Sequence, residues 1–247
     1  MSARDALRRP RTWIIGVPVL VLLVVVGGPF VYINFIKEDA PERLTFESVS
    51  TTTATTAADA PTTTATSPAV APEDEIDGTW TVGPGSIAGY RVEEVLFGQS
   101  SEAAGRTESI TGTVTITDTT IDAASFTVDL TTVASDDDRR DNQFHGRIME
   151  TATFPTATFE LSEPITLASI PADLEEITVP ASGQLTLHGV TRPVAVDLLA
   201  RRNGDAVEVN GTIPITFSEY EIDNPSGGPA QVGDTGEIEF LLVLSRS

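Results

Sequence analysis

Residues 193–217 read PVAVDLLARRNGDAVEVNGTIPITF. Val194, Val196 and Leu198 alternate with Ala195 and Asp197 on one side of Asn203-Gly204. Val207, Val209, Ile213, Ile215 and Phe217 keep one parity on the other side, with Gly211 in the vacant slot. A period of two turns one face of an extended chain toward an apolar interior, and Asn-Gly between two such runs marks a tight hairpin. The stretch is therefore a β-hairpin with one buried face.

The same alternation recurs outward from it. Phe126, Val128 and Leu130 alternate with Thr127 and Asp129, and Ile238, Phe240, Leu242 and Leu244 repeat the pattern near the C-terminus. Thr, Val and Ile are abundant, as strands prefer. Eight strands are expected, over 86–96, 107–117, 120–132, 156–167, 176–188, 193–203, 206–218 and 235–246. Turn signals fall at 118–120, Ser182-Gly183, 203–205 and 225–228. Residues 136–153, DDDRRDNQFHGRIMETAT, read as a loop with a turn or two of helix. Eight antiparallel strands form either a sandwich or a barrel, and a barrel of that size encloses one small or elongated ligand.

Composition excludes whole classes of function. The 247-residue chain carries 36 acidic and 15 basic residues, a net charge of −21, which opposes general nucleic-acid binding. It has no cysteine and two histidines. Disulfides, thiolate metal sites, cysteine nucleophiles and multi-histidine metal centres are thereby removed. No metal or cofactor is called for. No G-x-S-x-G elbow, H-E-x-x-H motif or phosphate-binding glycine loop occurs, so no enzyme is expected.

The N-terminal part is organised differently. Residues 1–12 form a basic tail with Arg4, Arg8, Arg9 and Arg11. Residues 13–36 carry no charged side chain and are long enough to cross a bilayer core of about 30 Å as a helix. Trp13 and Tyr32 lie toward its ends, where amphipathic rings favour the interface. The run exceeds the roughly 7–15 apolar residues of a signal core, so a single-pass anchor in the cytoplasmic membrane is expected, with a cleaved signal as the alternative. The arginines place the N-terminus inside and the remainder outside the cytoplasm. Residues 37–77, rich in Thr, Pro and Ala, are expected to be a disordered stalk. Residues 78–247 form one domain.

Four ordered motifs in that domain resemble the YceI-like family of lipocalin-like barrels associated with polyisoprenoid binding. GTWTVGPGSIAGYRV (78–92) resembles the family's W-x-(hydrophobic)-x-P-x-x-S opening, and Thr111-Gly112-Thr113-Val114 its second strand. Arg140-Asp141, followed by Phe154, Pro155, Ala157 and Phe159, resembles its R-D loop and F/Y-P strand start. Gly183, Leu185, Thr186, Gly189, Val190, Thr191, Arg192, Pro193 and Val194 resemble its G-x-L-T-x-x-G-V-T-(K/R)-P-V hairpin. The family often carries His at the end of its first long strand; Glu94 stands there in this chain, and Tyr90 stands at the usual Phe.

The resemblance implies an all-β fold, an eight-stranded antiparallel lipocalin-like barrel, with a polyisoprenoid-like lipid inside. Inward parity gives the lining as Phe126, Val128, Leu130, Phe159, Leu185, Leu187, Val194, Val196, Val209, Ile213, Ile215, Phe240 and Leu242. The mouth and lid are expected from Arg140, Asp141, Phe144, His145, Ile148 and Met149. Arg140 either pairs with Asp141 to pin the loop or holds a polar head group. His145 and His188 are expected at the surface or mouth, and the acidic run 136–138 as a solvated loop rather than a calcium site. The alternative function is a structural or interaction domain of the envelope, its barrel filled by its own side chains. Nothing in the pattern sets an oligomeric state.

Overall fold

The structure, a computed structural model, describes residues 40–50, 76–228 and 230–247. Its strands are β1 (Gly78–Val82), β2 (Ile87–Leu96), β3 (Gln99–Thr107), β4 (Ile110–Thr117), β5 (Thr120–Asp129), β6 (Thr156–Leu161), β7 (Ile165–Thr166), β8 (Ile177–Leu187), β9 (Val190–Asn203), β10 (Ala206–Thr216), β11 (Ala230–Val232) and β12 (Thr235–Arg246). One helical turn, α1 (Glu47–Ser50), precedes them, and α2 (Asp138–Gln143) runs into a π-helical turn over Phe144–Ile148.

Eight strands close a ring in the order β1-β4-β5-β6-β8-β9-β10-β12, sealed by antiparallel pairing of β12 with β1. The second half of β12 pairs with β1, from Leu244↔Val82 to Arg246↔Trp80. Its first half pairs with β2, from Glu237↔Arg91 to Leu241↔Ile87. β1 and β2 are thus one wall strand bent at residues 83–86, and β3 and β4 form its neighbour, paired with β2 and β1 respectively. Among the described residues, the far edge of β3 meets the segment after β5 through the Arg106↔Ala134 bridge and a 2.6 Å hydrogen bond between the Thr107 and Thr132 hydroxyls. There the barrel stands open and segment 133–149 leans across it. This end is the mouth; the end holding the β9–β10 turn is closed.

The Asn203-Gly204 hairpin forms as read, with Ala206↔Asn203 through Asn210↔Leu199 in register. The vacant slot at Gly211 has a cause: a Cβ there would stand 2.5 Å from the Phe240 ring. The expected turn at Ser182-Gly183 is instead the interior of β8, where a Cβ on Gly183 would come within 2.2 Å of the Phe159 ring. Two wall strands differ from the sequence expectation. β1 is short, and β3 presents Ser101, Ala103, Gly105 and Thr107 inward, residues too small to register as apolar alternation. The strand expected to 132 ends at Asp129, whose carboxylate accepts from the Thr131 amide at 2.9 Å and starts a 3₁₀ turn. The strand expected to 218 likewise yields to a 3₁₀ turn over Phe217–Tyr220.

The expected membrane helix over 13–36, the basic tail, and residues 37–39 and 51–75 of the expected stalk lie outside the described residues. Among the described residues no helix is long and apolar enough to cross a membrane. The stalk expectation is corrected at both ends. Leu44 and Phe46 are buried against Leu241 on the outer wall. Ile76 is buried at the closed end, its carbonyl accepting from Trp80 Nε1 at 2.8 Å. Apolar residues at 44, 46 and 76 find ready-made apolar ground, which the Thr-rich stretch between them lacks.

Candidate functional site

The barrel interior holds two chambers. The outer one, about 950 Å³, opens at the mouth between β2, β12 and segment 133–149. The inner one, about 180 Å³, lies deeper and is lined almost wholly by aliphatic and aromatic side chains. Ala88, Val128, Ala157 and Ile238 line both, so these four side chains form the neck between the two chambers.

Of the side chains expected to line the barrel, Val128, Leu130, Leu187 and Ile215 face the outer chamber. Phe126, Phe159, Leu185, Val196, Val209, Ile213, Phe240 and Leu242 face the inner one. Val194 lines neither; it pairs with Gly183 and packs into the wall. Large rings line a bore this narrow because they lie over cross-strand glycines, as Phe126 does over Gly112 and Phe240 over Gly211.

The mouth residues are brought together less completely. Arg140, Phe144, Ile148 and Met149 face the outer chamber. Asp141 does not reach Arg140. It accepts from the Ser135 amide at 2.9 Å and the Ser135 hydroxyl at 2.6 Å, tying α2 down. Arg140 pairs instead with Asp136, one helical turn earlier. His145 stands edge-on to Phe144 at 5.2 Å and meets Thr151 Oγ1 at 3.4 Å. His188 stands on the β8–β9 turn, at the mouth end of the barrel and next to Leu187 of the outer chamber, but not at the surface. It is buried, with Nδ1 3.1 Å from the Tyr220 carbonyl and Nε2 3.2 Å from Glu150. Its ring meets Phe154 edge-on, and Phe154 also covers Gly189, so the F-P and G-V-T motifs pack on each other.

β2 supplies mouth residues that sequence reasoning missed. Tyr90, Val92, Glu94 and Leu96 face the outer chamber on one parity. The signal was present, but Glu94 interrupted an apolar reading of it. Tyr90 stacks on Phe144 at 5.0 Å with the rings nearly parallel. Burial pushes the Tyr90 phenol well above its usual range, Arg140 pulls it back, and Asp141, Asp136 and Glu94 push it further up. Burial lowers the Arg140 guanidinium, but the Asp136 charge and hydrogen bond outweigh it, with help from Tyr90 and Glu94, leaving it raised. A phenol, a paired guanidinium and a carboxylate thus ring the mouth of an otherwise apolar bore. The acidic run serves the fold: Asp137 caps α2 through the Arg139 amide at 2.7 Å, and Asp136 holds Arg140. Among the described residues no cluster of three or more metal-binding side chains occurs.

A closed eight-stranded barrel with an apolar interior and a polar rim defines a class of proteins that enclose small or elongated guests. Residues 80–244 match the YceI-like domain, and the chain belongs to that family. Among solved structures, it resembles a polyisoprenoid binding domain from Saccharophagus degradans implicated in plant cell wall breakdown. The identity is 18%, the match covers 68% of this chain and 98% of that one, and the TM-score is 0.55. BcnA of Burkholderia cenocepacia is 22% identical over 64% of this chain and 95% of its own, with a TM-score of 0.50. At such identities these likenesses show the fold. No curated protein matches the sequence.

Proposed function

We propose that the protein is a membrane-tethered, extracytoplasmic carrier that holds an amphiphilic, polyisoprenoid-like lipid in its bore. The observation that carries the reading is the pair of chambers inside the barrel: an outer one with a polar rim at Tyr90, Glu94 and Arg140, and beyond the neck residues an apolar inner one. The outer chamber alone is near the top of the roughly 300–1,000 Å³ usual for ligand sites. An amphiphile places its tail along the bore and its head among the rim groups, where unpaired polar atoms meet hydrogen-bond partners rather than hydrocarbon. The polyisoprenoid-binding relative supports the choice of lipid. The open chambers favour a carrier over the alternative of a barrel filled by its own side chains, and the rim groups read as binding rather than catalytic residues. Arg4, Arg8, Arg9 and Arg11 before residues 13–36 support the tether and its orientation.

The test is extraction and mass spectrometry of lipid from the full chain purified in mild detergent from its own host. A prenyl-chain lipid in near-stoichiometric amount is expected. Protein that carries no lipid, and takes up none from prenol-containing vesicles, refutes the reading.

A further inference from the structure

Residues 40–46 lie along the outer wall of β2, β3, β10 and β12. The Arg91 guanidinium donates to the Pro41 carbonyl at 2.7 Å, and Arg106 donates to the Glu42 carbonyl. Arg43 pairs with Glu237 at 2.5 Å. Asn210 Nδ2 donates to the Leu44 carbonyl at 2.8 Å, and Arg201 lies 4.3 Å over the Phe46 ring. Beneath this strap, Glu239 is buried between Arg91 and Arg106, at 3.2 and 2.8 Å. Charges so far from water are held in one geometry, which makes the strap's seat a fixed one.

The strap has a direction. Pro41 and Arg43 sit level with Arg91 and Glu237, and Glu237 lines the mouth chamber. Phe46 sits level with Arg201 and Glu208, toward the closed end. The chain therefore arrives from the mouth side. The apolar run ends at residue 36, and the five residues from there to Pro41 span at most about 18 Å. From Arg91 to Leu96, at the tip of the β2–β3 hairpin, is five residues of strand, or about 17 Å. The two reaches match. At that tip Val95 and Phe97 are 40% and 47% exposed, and Phe97 also lines the mouth chamber.

We propose that the strap clamps the barrel mouth-down on the bilayer that anchors residues 13–36, with the Val95–Phe97 hairpin tip seated in the lipid head-group layer. This rests on the reading of 13–36 as a retained anchor. Residues 51–75 then do not set the distance to the membrane. Their two flanks, Phe46 and Ile76, both lie at the closed end, so this stretch leaves and rejoins the barrel away from the bilayer. The mouth faces the source of its lipid, and a guest passes between bilayer and bore without crossing open water.

The chain has no cysteine, so single labels are unambiguous. The full chain, carrying a fluorophore at Ser100→Cys on the tip or Asp205→Cys at the β9–β10 turn, is reconstituted in phosphatidylethanolamine–phosphatidylglycerol vesicles with spin-labelled head groups. The tip label is expected to be quenched at least several-fold more than the turn label. A flexible Gly-Ser insertion of about 15 residues, roughly 20 Å of mean reach, between Lys37 and Glu38 is expected to abolish that difference. The same insertion between Thr63 and Thr64 is expected to leave it unchanged. Equal quenching of both labels, or sensitivity to the second insertion and not the first, overturns the strap geometry while leaving the anchor standing. Failure of the full chain to float with the vesicles overturns the anchor reading, and the strap proposal with it.

Discussion

Closing the neck of the bore separates a tail that passes into the inner chamber from one that stops outside it. Ala157 is buried, faces inward beside Val128, and lines both chambers. Ala157→Phe places a ring across the opening. The inner chamber of about 180 Å³ admits about six carbons at roughly 30 Å³ each, the share of a small molecule in a liquid. At about 0.8 kcal/mol per buried methylene these contribute up to about 5 kcal/mol, reduced by the ordering of the tail. A loss of about 2–4 kcal/mol, or roughly 30- to 1,000-fold in Kd, is therefore expected for geranylgeraniol. Geraniol, short enough for the outer chamber, is expected to bind the variant and the parent alike. Both affinities come from competition with a fluorescent fatty alcohol, alongside a denaturant titration. An equal loss for both alcohols refutes passage through the neck. Destabilisation by the full 1–3 kcal/mol typical of overpacking, without change in binding, shows a neck already packed shut.

Removing Glu239 takes a buried carboxylate from both Arg91 and Arg106 but leaves Arg91 with Glu102 at 2.8 Å and both guanidinium groups with strap carbonyls. Glu239→Ala is therefore expected to cost about 1.5–3 kcal/mol in urea unfolding; a cost under about 0.5 kcal/mol contradicts the burial argument. Gly183→Ala drives a methyl into the Phe159 ring and is expected to lower stability by about 1–3 kcal/mol, and an unchanged melting temperature counts against it. Because the folded Tyr90 phenol is raised by burial, the unfolded chain releases its proton first, near pH 10, and stability falls as pH climbs from there toward the folded value. Tyr90→Phe is expected to flatten that alkaline decline, as measured by melting between pH 8 and pH 11, roughly spanning the phenol range; an identical profile in both proteins refutes the assignment.

The wall of the barrel was legible wherever alternation carried large side chains. Val207 to Phe217 and Ile238 to Leu244 point as read, because a one-residue slip turns every apolar group to the other face. β3 was illegible because its inward positions are small, and their smallness is what leaves room for Tyr90 over Gly105. The strap was hidden for another reason. Residues 41–46, PERLTF, bury two apolar side chains and make most of their polar contacts through backbone carbonyls, which no side-chain pattern announces. A trace existed on the opposite partner: residues 240–244, FLLVL, are apolar on both parities, the mark of a strand covered on two faces. At the mouth, composition located the lid segment but not its pairings. Asp136, in the turn just ahead of the Asp137 cap, pairs with Arg140, while the adjacent Asp141 is taken by Ser135.

The lone bridge between β3 and the segment beyond β5 divides the molecule into a frame and a door. Two backbone hydrogen bonds, from the Arg106 amide to the Ala134 carbonyl at 2.8 Å and back at 3.0 Å, and one between the Thr107 and Thr132 hydroxyls at 2.6 Å hold that seam, and each is worth about 1 kcal/mol net. The frame, by contrast, is laced by ladders as long as the eleven paired positions between β8 and β9. Swinging segment 133–149 outward also exposes Val133, Phe144 and Met149 and breaks the Arg147 contacts to Asn224 and Pro225, but it leaves those ladders intact and so draws on a local reserve of free energy smaller than the global one. Opening of the mouth and global unfolding thereby become separate events on separate energy scales.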